Sequence, residues 1–80
     1  MTVKELKEVL QNLDDDMEIM LQTDSEGNGY YTVEGADPDN VYDEENGTVY
    51  SLNWTAKDAC LEEEDWEELK NGPRVLIIYP

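Results

Sequence analysis

Sixteen uncompensated negative charges on eighty residues constrain this chain more than any other feature of it. Asp and Glu number 21 and Lys and Arg only 5, with no His. An acid load of that size is often a mark of disorder, but here 39% of the residues are apolar and they recur at regular spacings. A chain this short buries roughly 60% of the surface its unfolded form exposes, which allows one core and no second lobe. The fold has to come from a few short, well-phased apolar runs set between acidic turns.

The runs can be read in order. Thr2 and Glu5 form a capping-box pair. Behind them Val3, Leu6, Val9, Leu10 and Leu13 lie on one helical face, which predicts a helix from Thr2 to Leu13. Asp14, Asp15 and Asp16 then sit against the negative end of the helix dipole and mark a turn. Met17–Gln22 reads as a strand, Thr23–Gly29 as a hairpin loop, and Tyr30–Glu34 as the return strand. Gly35–Asn40, with Asp37-Pro38-Asp39, reads as a break before a short strand at Val41-Tyr42. Asn46-Gly47 then signals a hairpin into a strand from Thr48 to Trp54. Thr55 is placed to cap a short turn that ends near Cys60. Glu62–Lys70 is helical, with Leu61, Trp66 and Leu69 inward, and Asn71-Gly72-Pro73 stops it. Arg74–Tyr79 is a continuous apolar run of the kind found in fully buried strands. The expectation is a single small α+β domain spanning 1–80, in the order α-β-β-β-β-α-β. Its sheet is mainly antiparallel, with the helices on one face.

The charge excludes two classes of partner. Nucleic-acid backbones are bound by Lys and Arg that displace counterions, and five scattered bases build no such track. Anionic membranes repel the chain for the same reason, and the longest apolar run, Val75–Tyr79, is too short to span a bilayer. Solubility, cations or a basic protein surface remain as reasons for the charge. The lone Cys60 makes no internal disulfide, and Met1-Thr2-Val3-Lys4-Glu5 lacks the pattern of a signal peptide. A cytoplasmic location is expected.

By position, the acids gather at Asp14–Glu18, Asp37–Glu45 and Glu62–Glu68. The third cluster is the densest: Glu62, Glu63, Glu64, Asp65, Glu67 and Glu68, interrupted only by Trp66. Its plain reading is a solvated helix face whose first-turn acids suit the dipole. Its sharper reading is an anionic ridge that imitates a row of phosphates. Duplex DNA carries a charge every ~1.7 Å, and a helix rises about 1.5 Å per residue. With Asp14, Asp15, Asp16, Asp37, Asp39 and Asp43, these six form the candidate interaction set.

Other motifs carry less. Asp24-Ser25-Glu26-Gly27-Asn28-Gly29 resembles the first half of a calcium loop, but the position that needs a bidentate Glu is Gly35 and the flanks read as strands. Asp37-Pro38-Asp39-Asn40 with Asp43 offers a weak hard-cation site or an ordinary polar turn. Cys60 has no His to activate it and reads as a buried structural cysteine. No cofactor and no catalytic residue is expected. Trp54, Trp66 and the tyrosines read as packing, with Tyr30, Tyr31, Tyr42 and Tyr50 as interface anchors if exposed.

Two stretches carry a resemblance. They are Thr2-Val3-Lys4-Glu5-Leu6 with Leu10 and Leu13, and the ending Trp54–Cys60, Asp65-Trp66-Glu67-Glu68-Leu69 and Pro73–Pro80. Together the chain resembles small acidic proteins encoded by phages and prophages, of unknown biochemical role. The resemblance transfers no site residues. It implies an accessory protein that acts on a host factor. The expectation is therefore a non-enzymatic protein that binds a protein partner, possessing a basic surface to meet this charge. Its alternatives are a nucleic-acid mimic and a self-associating structural component.

Overall fold

The capping box predicted at the start of the chain is formed in full. The Glu5 amide donates to Thr2 Oγ1 at 3.2 Å and the Thr2 amide to Glu5 Oε1 at 3.1 Å. Together they start helix α1, Val3–Leu10. In this computed structural model, which describes residues 1–80, the chain divides into two compact units, Met1–Thr32 and Val33–Pro80.

In the first unit α1 stops three residues short of the expected Leu13. Gln11 is extended (ψ 133°) and Asn12 is left-handed (φ 69°), a conformation Asn adopts more readily than most residues. No residue of α1 is buried, so no packing extends the helix past its last good turn. Strand β1, Met20–Gln22, pairs antiparallel with β2, Tyr30–Thr32, with Leu21 opposite Tyr31. Both are shorter than the sequence suggested. Met17–Ile19 lies outside the ladder because β2 ends at Thr32, the partner of Met20.

The second unit holds a three-stranded antiparallel sheet. Its strands are β3, Gly35–Asp43; β4, Thr48–Ser51; and β5, Arg74–Tyr79, in the order β4-β3-β5. With helix α2, Glu63–Leu69, the chain has the expected α+β order α-β-β-β-β-α-β, all antiparallel, but its strands form two sheets rather than one. The Asp37-Pro38-Asp39 segment, expected to break the chain, lies within the central strand. A register irregularity between Asp37 and Asn40 admits it. Pro38 cannot donate to a ladder and is tolerated at such a bulge. Buried Asn40 is satisfied there by donating through Nδ2 to the Asp37 carbonyl at 3.0 Å.

Strand β5 also differs from its reading. It is an edge strand whose Val75 and Ile77 are half-buried while Leu76 and Ile78 are exposed. At one end Gly35 faces Tyr79, where a Cβ would stand 2.6 Å from the tyrosine hydroxyl, so glycine leaves room for the ring. At the other, Arg74 donates to the Pro38 carbonyl at 2.9 Å and pairs with Asp39 Oδ1 at 3.2 Å. The turn between β3 and β4 relies on Gly47, whose φ of 64° suits a residue without a Cβ.

Val41 pairs with both Tyr50 and Arg74, so these three side chains share one face of the sheet. On that face Tyr50 meets Trp66 of α2 edge-on, with ring centroids 6.1 Å apart. A short turn supplies the remaining wall. Thr55 and Asp58 cap each other reciprocally, at 3.0 and 3.2 Å, and present Ala56 and Ala59 to Trp66. Val41, Ala56, Ala59 and Trp66 are the buried apolar residues. Cys60, expected to be buried, is exposed instead: the turn ends there in a left-handed residue (φ 59°), and Ala59 takes the inward position.

Trp66 is 2% exposed in a core with few other members. Replacing it with alanine leaves a cavity that costs ~3–5 kcal/mol, most of what a domain of this size holds. Urea denaturation of Trp66→Ala, followed by far-ultraviolet circular dichroism, should show the second unit unfolded or nearly so. Trp54→Ala, at a site 43% exposed, should cost much less.

Candidate functional site

The three acidic clusters are used differently. In the first unit, Asp14 accepts from the Met17 amide at 3.1 Å and closes the turn after α1 through its carbonyl. Asp14, Asp15 and Glu18 line a groove of about 240 Å³, and its apolar lining is Leu10, Leu13, Met17 and Ile19. All four apolar residues are exposed. Asp16 is exposed but outside the lining.

In the second unit the middle and last clusters meet. A groove of about 540 Å³ is lined by Asp43, Glu44 and Glu45 from the β3–β4 turn, and by Asp65 and Glu68 from α2. Tyr42, Leu69, Gly72 and Pro73 complete it. Local structure explains the convergence. Asp43 folds the turn back on itself, accepting the Glu45 amide at 3.1 Å and Asn46 Nδ2 at 2.8 Å. On α2, Asp65 and Glu68 are one turn apart, so they share a side of the helix while Trp66 takes the buried side.

The groove has no base in its lining. Lys70, the nearest in sequence to α2, is bonded to Glu67 Oε1 at 2.9 Å and lies 5.8 Å from the centre of the Trp66 ring. Arg74 is held by Asp39. Of the candidate acids, Asp43, Asp65 and Glu68 are therefore brought together. Glu62, Glu63, Glu64 and Glu67 do not line the groove, and Asp37 and Asp39 serve the bulge, where the Asp39 amide donates to Asp37 Oδ1 at 2.9 Å. Glu44 and Glu45 join the site without having been singled out. The Asn46-Gly47 hairpin signal placed them on a turn, but nothing local told that the turn lies beside α2.

The calcium-like loop closes on itself. Asp24 Oδ1 accepts from the amides of Glu26 at 2.9 Å and Asn28 at 3.3 Å, and Oδ2 accepts from Asn28 Nδ2 at 3.1 Å. No three carboxylates or thiols in the structure are arranged to hold a metal ion. Tyr30 and Tyr31 are exposed, whereas Tyr42 and Tyr50 are half-buried. No helix is long and apolar enough to cross a membrane.

The amide of Asn28, then its side chain, hold the Asp24 carboxyl below its ordinary range, with smaller help from the Glu26 and Gly27 amides. Because the folded value is the lower one, the loop's contribution to stability is present above the unfolded aspartate pKa. It is lost as pH falls through the lowered value. Carbon-detected NMR titration should find Asp24 ionising below the ordinary aspartate value. Asn28→Ala should move it back up toward that value.

No family model, curated protein or solved structure matches the chain.

Proposed function

We propose that this chain acts without catalysis, by binding a protein partner whose basic surface enters the acidic groove of the second unit. The carrying observation is the convergence of Asp43, Glu44, Glu45, Asp65 and Glu68, from two elements distant in sequence, around a groove lined by no base. Charges held on one concave surface raise the local concentration of an oppositely charged partner and speed its association. Tyr42, Leu69 and Pro73 add apolar contact for the stems of Lys and Arg side chains. The resemblance to phage accessory proteins adds a host factor as the kind of partner.

The same convergence favours a second reading, in which the groove acids occupy the site that the partner otherwise gives to nucleic acid. The two readings differ in one observable. A mimic competes with duplex DNA or RNA for the partner, whereas an ordinary ligand leaves nucleic-acid binding intact. Self-association through this groove is disfavoured, because two copies bring like charge to like charge.

Capture from host lysate at low salt supplies the partner for the test. Neutralising the groove, with Glu44→Gln, Glu45→Gln, Asp65→Asn and Glu68→Gln together, should weaken binding by about two orders of magnitude, as several close charge pairs are lost. The combination Glu62→Gln, Glu63→Gln and Glu64→Gln, outside the groove lining, should change it much less. Binding should also fall steeply toward about 0.5 M salt, where exposed charges are screened within a few ångströms. Equal losses from both sets, or binding that survives both salt and neutralisation, refutes the groove as the site.

A further inference from the structure

The first unit carries a second, chemically different surface. None of its residues is buried, yet Leu10 is 45% exposed, Leu13 43%, Met17 55% and Ile19 57%, and all four line one groove. Large apolar side chains gathered in a concavity, rather than scattered singly, mark an interaction site. The groove's volume of about 240 Å³ is below the ~300–1,000 Å³ usual for small-molecule pockets. It suits one or two anchoring side chains of a macromolecular partner.

Charge narrows the occupant. Asp14, Asp15 and Glu18 belong to the lining itself, and no base does. A second copy would set three acids against three acids on chains that each carry a net charge of −16. An anionic lipid surface is repelled in the same way. A segment with apolar residues on one side and Lys or Arg beside them satisfies both the apolar and the acidic parts of the lining. Met17 adds adaptability, since its unbranched thioether side chain fits differently shaped anchors.

We infer that the groove lined by Leu10, Leu13, Met17 and Ile19 together with Asp14, Asp15 and Glu18 is a docking site for a basic amphipathic segment of a protein partner. The inference goes beyond the acidic groove of the second unit. The first groove is lined by four large apolar side chains and three acids, the second by five acids with Tyr42, Leu69, Gly72 and Pro73, and the two share no residue, so either site can fail while the other stands.

The test uses the full chain and two synthetic peptides of equal charge. One is a Leu/Lys helix with a continuous apolar face; the other has the same composition, scrambled so that no face forms. Binding is mapped by methyl and amide NMR shifts. The amphipathic peptide should bind with shifts centred on Leu10, Leu13, Met17 and Ile19, and the scrambled one more weakly by about tenfold. Asp14→Asn, Asp15→Asn and Glu18→Gln together should weaken binding by about tenfold as well. Met17→Gln, at a position 55% exposed, should reduce it by removing an apolar contact. Neutralising the second unit's groove should leave these shifts in place. Equal binding of the two peptides, shifts spread over the acidic surface, or shifts confined to the second unit would each overturn the inference. Loss of the first-unit shifts alone leaves the proposed function standing, and loss of the second-unit partner alone leaves this site standing.

Discussion

The packing of Trp66 against Tyr50, Ala56 and Ala59 is the interaction on which the second unit depends. It joins three pieces that have no other strong reason to meet: the α2 helix, the β4 edge strand and the reciprocally capped turn between them. Helix α2 is seven residues long and its N-cap, Glu62, makes no side-chain bond. Such a helix is marginal by itself. First-turn acids at Glu63, Glu64 and Asp65 favour its positive end by only a few tenths of a kcal/mol each. Burial of one large indole outweighs these terms and fixes which side of α2 faces the sheet. Fixing that side also turns Asp65 and Glu68 toward the β3–β4 turn. The acidic groove is thus a consequence of where the tryptophan goes.

Much of this was legible in the sequence because it is local. The Thr2–Glu5 box, the Asn46-Gly47 turn, the inward Trp66 and the stop at Gly72 each depend on spacings of a few residues, and each is formed. What was not legible depends on distant partners. Pro38 argued for a break because a proline cannot donate to a ladder. The bulge that accommodates it is set by β5, more than thirty residues later, and by Arg74 reaching the Pro38 carbonyl. Likewise the apolar run Val75–Tyr79 looked central because its composition suits a buried strand, but a strand's place in the order is fixed by which edges remain free. Cys60 was misplaced by a single residue of phase, which in a tight turn moves a side chain from the core to solvent.

The acids follow the same division. Asp24, Asp37, Asp43 and Asp58 accept backbone amides in turns, which is local chemistry that Asp provides wherever a chain reverses. Their number in the composition therefore overstates the charge free of a structural duty, and Asp43 does both, holding its turn while lining the acidic groove. The acids with no such duty are a smaller set. They could be separated from the others only once the turns were seen, since sequence clustering mixes both kinds. The middle cluster contains Asp37, which holds a bulge, and Glu44, which lines a groove.

A net charge of −16 also explains how the first unit can leave its apolar residues exposed. A contiguous apolar surface ordinarily invites self-association. Here an encounter that apposes two such grooves also brings Asp14, Asp15 and Glu18 of the two copies close together, and the repulsion acts before the apolar surfaces touch. Over a Debye length of about 8 Å at physiological salt, like-charged chains are kept apart while any basic surface is drawn in. The repulsion therefore acts as a filter. It does not weaken the apolar contact itself; it decides which surfaces come near enough to make it. Raising the salt should relax that filter: the attraction of basic surfaces weakens at both grooves, and the apolar one also loses its protection against self-contact.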